Sequence, residues 1–170
     1  IVVDADDSAK IQLVLAGVDI NCESSAAIYV KKANKVFITL AEKSENVLSN
    51  SSDFVATDDN NIDSVVFSKS DLSFNGNGSL TVNAAYGHGV VSKDDLVFTA
   101  GAYSITSADH GLQGKNSIRI ANGTFNIKCT EDGLHSENSE DSSKGFVYII
   151  GGTLNISAGD DAYPQITTNN

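Results

Sequence analysis

A repeat of about twenty-two residues runs through the second half of this chain. Segments 66–89, 90–111, 112–133 and 134–162 can be laid under one another with like chemistry in like columns. Ser68-Lys69-Ser70-Asp71 falls over Ser92-Lys93-Asp94-Asp95 and Gly114-Lys115-Asn116-Ser117. Gly87-His88-Gly89 falls over Asp109-His110-Gly111, Glu131-Asp132-Gly133 and Asp160-Asp161-Ala162. A fixed period in the twenties is the signature of a solenoid, in which each unit covers the apolar face of its neighbour. Function in such a chain is read from columns rather than from single residues.

Within each unit the apolar residues alternate with polar ones, which places them on one face of a strand. The first strand carries Leu72 and Phe74, Leu96 and Phe98, Ile118 and Ile120, Val147 and Ile149. The second carries Leu80 and Val82, Tyr103 and Ile105, Phe125 and Ile127, Leu154 and Ile156. Gly78, Gly101, Gly123 and Gly152 precede that second strand, at a turn expected to need positive φ. A third strand starts at Val66, Val90, Leu112 and Leu134. Three short strands and three turns per period predict an all-β chain, a right-handed parallel β-helix, with residues 1–170 as one domain. Val18 and Ile20, the turn at Ala26-Ala27-Ile28, and Val36, Ile38 and Leu40 continue the pattern less regularly. Residues 49–64 and 137–145 read as loops extruded from the stack, and such insertions often gather on a binding face. Neither end carries a recognisable cap. Further coils are therefore expected in a longer parent protein, and open strand edges invite edge-to-edge self-association.

Hydrophobic residues make up 41% of the chain, enough to build a core. The net charge of −11 argues against a nucleic-acid partner, because counterion release needs a basic face. Cys22 and Cys129 lack metal-ligand spacing and are expected as buried thiols, with a disulfide left open. No apolar run approaches the roughly 20 residues of a membrane helix.

The acidic turn column is the strongest site signal. Asp109, then Glu131 and Asp132, then Asp160 and Asp161 recur at one place in successive coils. Strands stack about 4.8 Å apart, so such carboxylates repel and call for a hard cation. Calcium takes six to eight oxygens and suits them, although acids also favour turns for local hydrogen bonding. Glu137, Asn138, Glu140 and Asp141 are candidates to extend the site. Lys69, Lys93 and Lys115 form a second column, a possible ladder for acidic sugars or a surface charge network of small energetic weight. Arg119 is the only arginine and should point outward from the first strand. Lys93, Lys115 and Arg119 are thus the candidate glycan contacts. His88, His110 and His135 fall in or near the acidic column but lack tight zinc spacing, and are expected as exposed turn residues. Tyr29, Tyr86, Tyr148 and Tyr163 lie outside the apolar stripe, where aromatic rings can serve sugars. Ser73, Thr81, Asn83, Ser104, Thr106, Asn126 and Asn155 point outward and suit an extended polymer or plain solvent.

The runs Val14-Leu15-Ala16-Gly17-Val18-Asp19-Ile20, Ala27-Ile28-Tyr29-Val30-Lys31 and Lys35-Val36-Phe37-Ile38-Thr39-Leu40-Ala41-Glu42 resemble one family. So do Phe67-Ser68-Lys69-Ser70-Asp71-Leu72, Gly78-Ser79-Leu80-Thr81-Val82 and Ser92-Lys93-Asp94-Asp95-Leu96. The chain is similar to the secreted carbohydrate-binding β-helix domains of clostridial and gut Firmicutes, which are themselves similar to calcium-dependent pectate lyases. The resemblance implies calcium sites, secretion or cell-surface location, and binding of cellulose- or polygalacturonate-class polysaccharide, with no established lyase activity. The family's Asp-Asp-Gly turns match Glu131-Asp132-Gly133 and Asp160-Asp161-Ala162, whereas Asp109-His110-Gly111 departs by a histidine and Gly87-His88-Gly89 has no acid. A structural or adhesive surface domain clamped by calcium, and a calcium-dependent lyase using a Lys or Arg base, are the alternatives.

Overall fold

A computed structural model describes residues 1–51, 54 and 61–161. Its described residues form six coils of three strands each. The first coil holds β1 (Val2–Asp4), β2 (Lys10–Leu15) and β3 (Asp19–Cys22). The second holds β4 (Ile28–Lys32), β5 (Lys35–Leu40) and β6 (Glu45–Asn50). The third holds β7 (Ser64–Ser68), β8 (Asp71–Gly76) and β9 (Ser79–Ala84). The fourth holds β10 (His88–Ser92), β11 (Asp95–Phe98) and β12 (Ala102–Ser107). The fifth holds β13 (Leu112–Gly114), β14 (Ser117–Ile120) and β15 (Thr124–Cys129). The sixth holds β16 (Leu134–His135), β17 (Phe146–Ile149) and β18 (Thr153–Ser157).

Every coil contributes one strand to each of three parallel sheets. Sheet A stacks β1, β4, β7, β10, β13 and β16; sheet B starts from β2 and sheet C from β3 in the same manner. This is the parallel β-helix that the alternating columns predict. The register confirms those columns: Leu72 pairs with Leu96 and Leu96 with Ile118, while Val82 pairs with Ile105 and Ile105 with Ile127. Like residues therefore stack on like residues, and the inward columns of the middle coils are almost fully buried, whereas in the sixth coil Val147, Leu154 and Ile156 are half-buried and Ile149 is exposed. Each fully buried Leu, Ile or Phe contributes about 1.5–3 kcal/mol. Four aromatic rings reinforce the centre, with Phe74 stacked on Phe98 and Tyr103 on Phe125.

The structure departs from the sequence reading at several places. Ser49 and Asn50 belong to β6 and Ser64 to β7, so the expected 49–64 loop is shorter at both ends. Residues 52, 53 and 55–60 of that loop lie outside the described residues, as do Ala162 and Tyr163. The expected insertion at 137–145 does separate β16 from β17. Gly101, Gly123 and Gly152 adopt positive φ as anticipated, but Gly78 does not. Gly76 takes that role with φ +92°, and a Cβ there would stand 2.1 Å from the Leu40 carbonyl oxygen. Asn46 points inward and is 1% exposed. Its Oδ1 accepts the Gly17 and Val18 amides and its Nδ2 donates to Ser44 and the Ser79 carbonyl, tying three coils together. Tyr29 is buried against Phe67 rather than available on a surface, whereas Tyr86 and Tyr148 are exposed. Both cysteines are free thiols, Cys129 buried and Cys22 half-buried.

Candidate functional site

The turns that lead from sheet C into sheet A carry the acidic column. Backbone bonds stack these turns directly. Gly89 donates to the His110 carbonyl, Gly111 to Asp132 and Gly133 to Asp161. His88, His110, Asp132 and Asp161 are thereby brought into one ladder, as the repeat alignment anticipates. Gly89 and Gly111 allow the close approach: a Cβ on either would lie about 2.5 Å from the carbonyl or side chain of the next coil.

Chemistry changes along this ladder. At its upper end three imidazoles stack face to face. The His88 and His110 rings are 5.1 Å apart and 5° from parallel; the His110 and His135 rings are 4.2 Å apart and 9° from parallel. Their side chains are only 11%, 13% and 23% exposed, which corrects the expectation of exposed turn histidines. His135 follows the column by three positions. It joins the stack because the outward row of sheet A, in which Gln113 pairs with His135, abuts the turn.

The imidazoles are also wired to the backbone. His88 Nδ1 accepts the His110 amide at 3.2 Å, and His110 Nδ1 accepts the Asp132 amide at 3.1 Å. These bonds place the neutral proton of each ring on Nε2. Burial lowers the pKa of His88 and His110 below the ordinary histidine value. For His88, Asp63 and Asp109 oppose the shift while His110 and Lys93 add to it. For His110, the neighbouring His135 adds to it and Asp109, Asp132 and Glu131 oppose it. His88, Asp109 and His110, and again His110, Asp132 and His135, bring possible ligand atoms within 4.8 Å of one another, but the Nδ1 lone pairs of His88 and His110 are taken by backbone amides.

A pH dependence follows. The unfolded chain takes up protons at these histidines near pH 6.5, whereas the folded chain resists until lower pH. Stability is complete above that unfolded value and is lost as pH falls through it. Metal-free protein should melt progressively lower between about pH 7 and pH 5. A melting temperature constant across that window would contradict a neutral imidazole stack.

The lower end of the ladder is all oxygen. Asp132, Asp160 and Asp161 each offer a carboxylate oxygen within 4.8 Å of the others. Asp132 is 16% exposed and already oriented: its Oδ2 lies 2.8 Å from His135 Nδ1, and its Oδ1 accepts the Asp161 amide at 3.3 Å. Donors on opposite sides of a calcium ion stand about 4.8 Å apart, so the trio fits a hard cation that completes its shell with carbonyls or water. The five acids singled out in the sequence are thus divided. Asp109 gathers with His88 and His110, and Glu131 lies 3.8 Å from His110 Nε2, while the other three form the oxygen cluster.

The remaining candidates are engaged elsewhere. Lys115 pairs with Glu140 at 3.0 Å, and Lys93 sits 5.3 Å above the Phe67 ring. Arg119 points outward and lies 5.4 Å from the Phe146 ring and 3.9 Å from Asp95. Asn138 donates to Asn116, which in turn donates to Asp94; Asp141 accepts the Ser143 amide and hydroxyl; and Glu137 lies 3.9 Å from His135. None of these groups belongs to the oxygen cluster. The outer face of sheet C, in contrast, bears an open groove of about 350 Å³. It is lined by Ser104, Thr106, Asn126, Lys128, Asn155 and Ser157 among others.

Known proteins match this architecture. A solved structure of the polysaccharide lyase-like protein from C. thermocellum, a gadolinium derivative, superposes with a TM-score of 0.90 at 31% identity, over 95% of this chain and 75% of that one. A carbohydrate-binding domain-containing protein of Acetivibrio thermocellus is 47% identical over 168 residues, 98% of this chain and 59% of that protein. The chain thus spans somewhat over half the length of this relative. The family model described as carbohydrate-binding domain-containing protein matches residues 1–169. With its parallel β-helix and ladder of turn residues, the chain belongs to this carbohydrate-binding domain family.

Proposed function

We propose that this chain is an extracellular, non-catalytic module that binds plant cell-wall polysaccharide of the cellulose or polygalacturonate class, with calcium held by Asp132, Asp160 and Asp161. The observation that carries the calcium part is the convergence of three carboxylates from two successive coils on a backbone that already orients one of them. Family membership supports the glycan part. The long flat sheets of polar rows suit an extended polymer better than a small enclosed ligand.

A lyase reading is favoured by one finding, the lyase-like description of the neighbour. It needs a basic Lys or Arg beside calcium. Lys115 is paired with a carboxylate and Arg119 is held over a ring, and neither lies in the oxygen cluster.

Affinity electrophoresis through polygalacturonate, together with a cellulose pull-down, tests the module in calcium buffer. Retardation or capture by one of these polymers without unsaturated product is expected. Failure on every plant polysaccharide tried would overturn the reading. Accumulation of an ultraviolet-absorbing unsaturated product would replace it with the lyase.

A further inference from the structure

We infer that the glycan lies on the outer face of sheet C across β9, β12, β15 and β18, where Lys128 meets an anionic sugar unit; this rests on the binding-module reading above.

Charge distribution is the first ground. The chain carries 22 acidic residues and a net charge of −11. Yet the outward positions of these four strands hold no Asp or Glu. The registers Thr81–Ser104–Asn126–Asn155 and Asn83–Thr106–Lys128–Ser157 make two continuous polar rows. Acids do appear farther along the same sheet, at Asp19 of β3 and Glu45 of β6. The groove lies within this acid-free area, over β12, β15 and β18. Solubility alone gives no reason to clear acids from one face of so acidic a protein.

The second ground is Lys128 itself. It is exposed, and among the described residues it makes none of the ion pairs that occupy Lys31, Lys32, Lys35 and Lys115. It stands where the two preceding coils place Thr106 and Asn83. The row offers hydroxyl and amide groups for sugar hydroxyls and one cation for a carboxylate. Asn155 donates to Asn126 at 3.0 Å, which orients both amides along the stack.

Spacing and chemistry select the ligand. Strands repeat at about 4.8 Å, close to the length of one pyranose unit in a 1,4-linked chain, so a polymer laid across the strands meets a new coil with each sugar. Tyr103 and Phe125 of these strands are buried, and the outward rows carry no aromatic ring to stack on a neutral sugar face. Hydrogen-bonding rows with one lysine fit a uronate-bearing chain better than cellulose. Long-range repulsion between two anions is screened beyond roughly 8 Å at physiological salt, which leaves the local contacts to decide.

The test is binding of polygalacturonate and of cellulose by wild-type protein, Lys128→Ala, Lys128→Glu and the control Lys10→Ala on sheet B, all in calcium buffer. Melting temperatures check that each variant folds. Expected are polygalacturonate binding by wild type, an affinity about fivefold weaker for Lys128→Ala as befits one exposed ion pair, a larger loss for Lys128→Glu, and no change for Lys10→Ala. Equal binding by wild type and both Lys128 variants would overturn the face while leaving the module intact. Binding of cellulose but not polygalacturonate would overturn the anionic sugar at Lys128 while leaving the module intact. Binding to neither polymer would remove the module reading and this inference with it.

Discussion

Phe98→Ala should lower the unfolding free energy by about 3–5 kcal/mol, the usual cost of emptying a large aromatic site. Phe98 is fully buried at the middle of the stack. Its ring lies 4.9 Å from Phe74 and meets Tyr103 and Phe125 edge-on at 5.0 and 5.2 Å. These neighbours belong to three coils and two sheets, so the void cannot be closed by one rotamer change. For a chain of this length the melting temperature should fall by roughly 6–20 °C. Phe98→Leu should cost less, because a branched chain refills much of the space. A loss below about 1 kcal/mol for the alanine variant would show that the rings do not form one packed unit. In a solenoid the damage should spread through nearest-neighbour coils, so both ends are expected to melt together with the centre only while coupling across the fourth coil persists.

The coil architecture was legible because alternation and repetition agree. Leu72, Leu96 and Ile118 announce one inward row, and the register bears it out. The weak place was β6, where the inward position equivalent to Leu80 is Asn46. A buried asparagine satisfied by four hydrogen bonds looks like a loop residue in sequence, since only the fold supplies its partners. Glycines misled in a similar way: Gly78 sits in the repeat column, yet the positive φ falls at Gly76.

The turn column was found as a column, but its internal division was not. Spacing shows that His88 and His110 align; it does not show that His135, on a different row, slides beneath them. Ring stacking is a three-dimensional fact with no periodic signature here. Lys128 escaped notice for the opposite reason. Attention goes to repeated cations, such as Lys69, Lys93 and Lys115, and Lys128 repeats nothing. Its setting is visible only when the registers show that the rows around it lack acids.

Calcium should stabilise chelator-stripped protein by about 2.7 kcal/mol at a free concentration one hundred times the dissociation constant. That corresponds to a melting temperature higher by roughly 5–10 °C for a chain of this size. The physical reason is local. Asp132 follows β15, and Asp160 and Asp161 follow β18. Without a cation their carboxylates repel across adjacent coils; with one they fasten the two strands that carry Asn126, Lys128 and Asn155. Asp160 is the clean position to change. It is exposed and, unlike Asp132, holds neither a histidine nor a backbone amide among the described residues.

The most direct measurement is a calorimetric titration of calcium into chelator-stripped wild-type protein and into Asp160→Asn. Saturable binding by wild type at or below millimolar calcium is predicted, as in extracellular calcium modules, with an affinity at least tenfold weaker in the variant. No binding heat at millimolar calcium, or an Asp160→Asn isotherm that overlays wild type, would contradict calcium as the clamp between these coils.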